Sequence, residues 1–140
     1  NDAQGVFTRD NKVQFKKTRD LVFELSIDNF ISVIGMMNRT ASFKSIGGWD
    51  EGYDLYGEWF YYIRLSTTGC IQYTDKTHAL YRIHSNNITK SLHNNRKSIE
   101  ALHAYKNRCR NSARDISNFS FTQNITFMFF MYFNHKLYII

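Results

Sequence analysis

Apolar residues change their spacing several times along this chain, and each change predicts a different element. Residues 1–17 open polar, with a turn-like Asp2-Ala-Gln-Gly5 followed by charges that alternate with Val13 and Phe15. Over 19–28, Leu21, Val22 and Leu25 fall on one helical face and predict a short helix. The run from Phe30 to Arg39 is short, β-branched and apolar between polar flanks, the pattern of a largely buried strand. Thr40 to Ile46 predicts one or two helical turns, stopped by Gly47-Gly48. From Gly57 to Thr67, Phe60, Ile63 and Thr67 share a stripe with Trp59, Tyr62 and Ser66 beside it, an amphipathic helix ended by Gly69. Cys70 to Tyr73 and Ala79 to His84 read as short strands. In the second, Ala79, Tyr81 and Ile83 face one way while Leu80, Arg82 and His84 face the other. A long helix from Leu92 to Asp115 follows, with Ile99, Leu102, Cys109, Ala113 and Ile116 as its buried stripe and the basic residues largely opposite. The aromatic segment 119–140 is either a second helix packed on the domain or an interfacial anchor.

Composition narrows this picture. The chain has 140 residues, enough for one core, and its 43% hydrophobic and 21% charged residues are those of a globular protein. Aromatics reach 16% and proline is absent, an enrichment that carries no functional weight by itself. The net charge is +6, and the segment from Lys90 to Asp115 holds seven Lys or Arg against Glu100 and Asp115. A basic block of this kind suits phosphates of nucleic acid, lipid headgroups or a phosphorylated substrate, although a solvated helix face is the commoner explanation for any one of its residues. The tail from Phe127 is interrupted by Asn134, His135 and Lys136, and a bilayer span needs roughly 20 apolar residues, so no transmembrane helix is expected. The polar start lacks the apolar core of a signal peptide, and Cys70 and Cys109 have no CxxC partner. A cytoplasmic location is therefore expected, with attachment to the inner face of the membrane as an option. The four N-x-S/T sequons at Asn38, Asn87, Asn118 and Asn124 then have no glycosylation role.

Two clusters carry candidate chemistry. Asp50, Glu51, Asp54 and Glu58 fall within nine residues that run from the loop after Gly48 into the helix expected from Gly57, beside Trp49 and Tyr53. A carboxylate at a helix start, with an aromatic wall limiting its solvation, can act as a general base. Helix capping explains the same charges and is the commoner outcome. The second cluster is Tyr81-Arg-Ile-His-Ser-Asn-Asn87, where Arg82 and His84 share a face at a strand end. Arginine suits a phosphate and neutral histidine a metal. His78, His93 and His103 with the two cysteines have none of the spacings of a structural zinc site.

Taken in order, these residues resemble family 2 glycosyltransferases of GT-A type. The resemblance runs through Asn29, Met37-Asn-Arg39, Phe43-Lys-Ser-Ile-Gly-Gly-Trp-Asp-Glu51, Gly57-Glu-Trp-Phe-Tyr-Tyr-Ile-Arg-Leu65, Gly69-Cys-Ile-Gln-Tyr73, Tyr81-Arg-Ile-His84 and Asn87, about residues 29–90. In that family an "R…iGgfDe" element precedes a helix reading "EDydlwlRl", and a strand ending "YR-x-H" follows. The resemblance implies an α/β fold, a partial GT-A domain with a mixed sheet and C-terminal helices. Residues 1–90 would form the acceptor-side half and residues 91–140 a helical extension.

The implied activity is an enzyme's: transfer of a sugar, with inversion, from a nucleotide-sugar to a glycan or lipid-linked acceptor, as in cell-envelope polysaccharide synthesis. By position Glu58 corresponds to the family's catalytic base, there an Asp, and Gly57 to the Glu before it. Gly48, Trp49, Asp50 and Glu51 correspond to its acceptor-binding loop. His84 corresponds to a residue that holds a divalent metal (Mn or Mg) or the donor diphosphate, with Arg82 beside it. The chain contains no Asp-x-Asp and no βαβ unit for a nucleotide, so it is expected to be part of a longer enzyme. The rival expectation is a non-catalytic carbohydrate-binding or interaction module derived from such an enzyme. Nucleic acid is not an expected partner, because the basic residues lack interleaved aromatics.

Overall fold

The computed structural model describes residues 21–69, 71, 72, 74, 76, 79, 80 and 96–137. The expectations for 1–20, for Cys70 and Tyr73, and for 81–95, including Arg82 and His84, lie outside them. Five α-helices run through the described residues: α1 Leu21–Ile27, α2 Thr40–Ser45, α3 Gly57–Ser66, α4 Arg96–Ile116 and α5 Phe121–Leu137.

The core forms where α1, α3 and α4 meet. Val22, Leu25 and Ser26 bury the inner face of α1. Cys109 and Ala113 of α4 are fully buried against them. Helix α3 runs through the middle and buries Gly57, Trp59, Tyr61, Tyr62, Ile63 and Leu65. A helix buried on most sides is a central element, not a surface one with a single apolar stripe. The expected stripe of Phe60, Ile63 and Thr67 is thereby corrected: Phe60 is half-buried, and Thr67 lies exposed beyond the helix end. In α4 the expected stripe holds at Leu102, Cys109 and Ala113, while Ile116 is exposed.

The basic residues of α4 do not all point away from the core. Arg110 is 5% exposed, and its Nε–H donates to the Ile27 carbonyl at 3.2 Å. Its guanidinium also packs over the ring of Trp59, 5.6 Å from the centroid. The Trp59 indole N–H in turn donates to the Leu25 carbonyl at 2.7 Å. Both donors satisfy carbonyls at the C-terminus of α1 that have no partner within the helix. A cation is also favoured there by the helix dipole.

No strand occurs among the described residues, which overturns the α/β expectation: the fold is helical, with neither a mixed sheet nor a GT-A domain. The Phe30–Arg39 run is extended at Ser32 (φ −83°, ψ 128°) and Met36 (φ −101°, ψ 138°), but one 3-10 turn, Val33–Gly35, lies between them. Phe30, Ile31 and Met36 pack on the core, whereas Val33 is 56% and Met37 96% exposed. Ile71, Gln72, Ala79 and Leu80 are irregular as well. β-Branched sequence expresses a preference for packing on a pleated surface, and no neighbouring strand supplies that surface among these residues.

Trp59 anchors three helices. Burying an indole contributes roughly 4–6 kcal/mol of transfer free energy at 150–250 Å². We therefore expect Trp59→Phe, which leaves a cavity and strips the Leu25 carbonyl of its donor, to lower unfolding stability by about 2–4 kcal/mol in urea titration. Ile63→Val, which removes one methylene without touching a polar group, should cost about 0.5–1.5 kcal/mol.

Candidate functional site

The loop between α2 and α3 is held at both ends. Helix α2 stops at Gly47 and Gly48, both in the left-handed region (φ 78° and 74°). The Gly47 and Gly48 N–H groups close the turn on the Lys44 and Phe43 carbonyls at 3.0 and 2.9 Å. The Asp50 carboxylate accepts the Gly52 N–H at 2.9 Å, an Asx turn that starts the 3-10 run Glu51–Tyr56.

Two contacts then fasten this run to α4. Arg108 donates to the Gly52 carbonyl at 2.7 Å and lies over the Tyr53 ring, 4.3 Å from its centroid. The Tyr53 hydroxyl pairs with Ser112 Oγ at 2.5 Å, and its ring stacks on Phe60 at 3.8 Å. Part of the basic block is thus committed to holding the loop.

Glu58 sits half-buried in the first turn of α3. Burial raises its pKa above the ordinary 4.5, and a hydrogen bond from its own backbone N–H offsets part of that rise. Trp49, 44% exposed, stacks on Tyr61 with ring centroids 5.6 Å apart. Its indole lies so close to Gly57 that a Cβ there would stand 2.5 Å from Nε1 and 2.9 Å from Cε2. Gly57 is therefore what lets the Trp49 side chain lie against the first turn of α3, over Tyr61.

In the same helix the buried hydroxyls of Tyr61 and Tyr62 have no hydrogen-bond partner among the described residues. The Tyr62 pKa is pushed up to about 12 by burial, with the nearby Glu58 charge adding to it. Its O–H stays protonated at neutral pH, a donor within the electrostatic reach of the carboxylate. The Cys109 thiol, also raised to about 12 by burial and by Glu58, is inert as a nucleophile.

Of the expected site residues, Gly48, Trp49, Asp50 and Glu58 thus belong to one loop-and-helix corner. Asp50 is engaged in its turn, Glu51 is exposed, and the side chain of Asp54 lies outside what is described. Arg82 and His84 lie outside the described residues, so their relation to Glu58 is not part of this site. Among the described residues no group of three or more His, Cys, Asp or Glu side chains stands together to hold the expected metal ion. The sequence did not single out Tyr61, or the Trp49 contact that makes Gly57 necessary. A glycine at the first position of an otherwise aromatic helix was the available signal for a close approach.

Compared with protein-family models, with curated proteins and with solved structures, the chain has no match.

Two outcomes test this geometry. Gly57→Ala should push the Trp49 indole off α3, changing near-UV circular dichroism and lowering stability by about 1–3 kcal/mol. The raised Glu58 pKa means that its charged form opposes folding above that pKa. The penalty fades as pH falls through the folded value and is gone below the unfolded one, near 4.5. Glu58→Gln should therefore be more stable than the parent at pH 8, with the gap closing towards pH 4 in denaturant titrations.

Proposed function

We propose that the chain is the acceptor-side portion of a glycosyltransferase, with Glu58 as the general base in sugar transfer from a nucleotide-sugar to a glycan or lipid-linked acceptor. The observation that carries this reading is a carboxylate half-buried in the first turn of a helix, within electrostatic reach of Tyr62, whose affinity for a proton is raised by desolvation. Such a carboxylate takes a proton from a hydroxyl more readily than a solvated one. As the acceptor oxygen bonds to the anomeric carbon, its proton passes to Glu58, and the bond from that carbon to the nucleoside diphosphate breaks on the opposite side, with inversion. The exposed face of Trp49 suits the apolar face of a sugar ring.

The test is turnover of nucleotide-sugar donors by the full-length protein and its Glu58→Gln variant. The expected result is a fall of roughly 10²-fold or more in kcat with donor binding retained, the usual range for loss of a general base. Unchanged turnover in Glu58→Gln would remove Glu58 from the reaction. Absence of turnover in the parent, with glycan binding that Trp49→Ala abolishes, would favour the carbohydrate-binding alternative instead.

A further inference from the structure

Helix α5 is apolar around most of its circumference, and much of that apolar surface faces outward. Its inward side carries Phe127, 2% exposed, but also the half-buried Gln123, Asn124 and Asn134. Asn124 Nδ2 donates to the Phe119 carbonyl at 2.9 Å, and Asn134 Nδ2 to the Phe130 carbonyl at 3.0 Å. The outward side carries Phe121 at 80%, Ile125 at 39%, Met128 at 66%, Phe129 at 61% and Phe133 at 58% exposure. Intervals of three and four residues align these five on one arc of the helix, which over 17 residues extends about 25 Å. A contiguous apolar face of this size on a folded surface marks an interaction site.

Charge decides what covers it. From Arg96 to Leu137 there are seven Lys or Arg and two acidic residues, and no acidic residue follows Asp115. Arg110 and Arg114 reach from α4 to place their guanidinium groups 4.9 Å and 5.9 Å from the ring centroids of Phe130 and Phe127, on the side of α5 away from its exposed face. Two copies paired through α5 would set two chains of net charge +6 against one another. An anionic surface is attracted by the same arrangement. No helix among the described residues is long and apolar enough to cross a membrane, which leaves insertion parallel to the surface.

We propose that α5 is an interfacial anchor for anionic phospholipid membranes, with Phe121, Ile125, Met128, Phe129 and Phe133 immersed below the headgroups and the basic residues of α4 adding electrostatic attraction from behind. The proposal stands apart from the role of Glu58, and it accords with a lipid-linked acceptor.

Flotation of the full-length protein with vesicles tests it. The protein should rise with phosphatidylcholine vesicles containing roughly 30% phosphatidylglycerol, and less with phosphatidylcholine alone or in high salt. Joint substitution Phe129→Ser and Phe133→Ser should lower the bound fraction about tenfold or more while leaving far-UV circular dichroism unchanged. Met128→Glu provides a second variant, with the same expected loss, should the first disturb folding. Glu58→Gln should float like the parent, which keeps this test separate from that of transfer. The proposal is overturned by failure to float, by equal flotation of the α5 variants, or by indifference to phosphatidylglycerol. A lipid-free dimer that the α5 substitutions disperse would overturn it in favour of a second copy.

Discussion

The C-terminus of α1 is the point on which the other helices converge. A seven-residue helix is too short to hold itself together in water, and its last carbonyls have no partner along the chain. Trp59 from α3 and Arg110 from α4 supply donors to Leu25 and Ile27, so the two hydrogen bonds that complete α1 also join it to both neighbours. Burying the Arg110 cation would cost several kcal/mol if it were left alone. Carbonyl oxygens, the end of the helix dipole and the ring faces of Trp59 and Phe130 offset that cost.

The position of the candidate site is inherited from this arrangement. With Trp59 locked against α1, the first turn of α3 has one orientation, and Glu58 emerges from it beside the loop that Arg108 ties to α4. Gly57 and Trp49 then close the corner, and the partial burial of Glu58 in that first turn raises its affinity for a proton. Part of the basic block accordingly serves the fold: Arg108 ties down the loop and Arg110 completes α1.

The helices were legible because each carries a local signal. Gly47-Gly48 ends α2 whatever surrounds it, since only glycine adopts two successive positive φ angles without strain. The three-to-four spacing of Leu102, Cys109 and Ala113 marks the buried side of α4. Glu58 was legible as a candidate because it is a carboxylate at a helix start in a stretch that also holds Trp49 and Tyr53. Phe30–Arg39 was not legible as an irregular, partly exposed segment, because β-branched residues state a preference that only a neighbouring strand can satisfy. The orphan hydroxyls of Tyr61 and Tyr62 were hidden for a related reason: whether a phenol finds a partner depends on residues distant in sequence.

By itself, then, the sequence determined the places where helices start and stop, the clustering of positive charge and the candidacy of Glu58, since all three follow from side chains and their near neighbours. Tertiary structure alone decided that Arg110 is a core residue, that Gly57 makes room for an indole and that α5 turns its apolar side outward. Each of these depends on which surfaces meet, and an arginine or a phenylalanine is read differently when a carbonyl, a ring or nothing at all lies across from it.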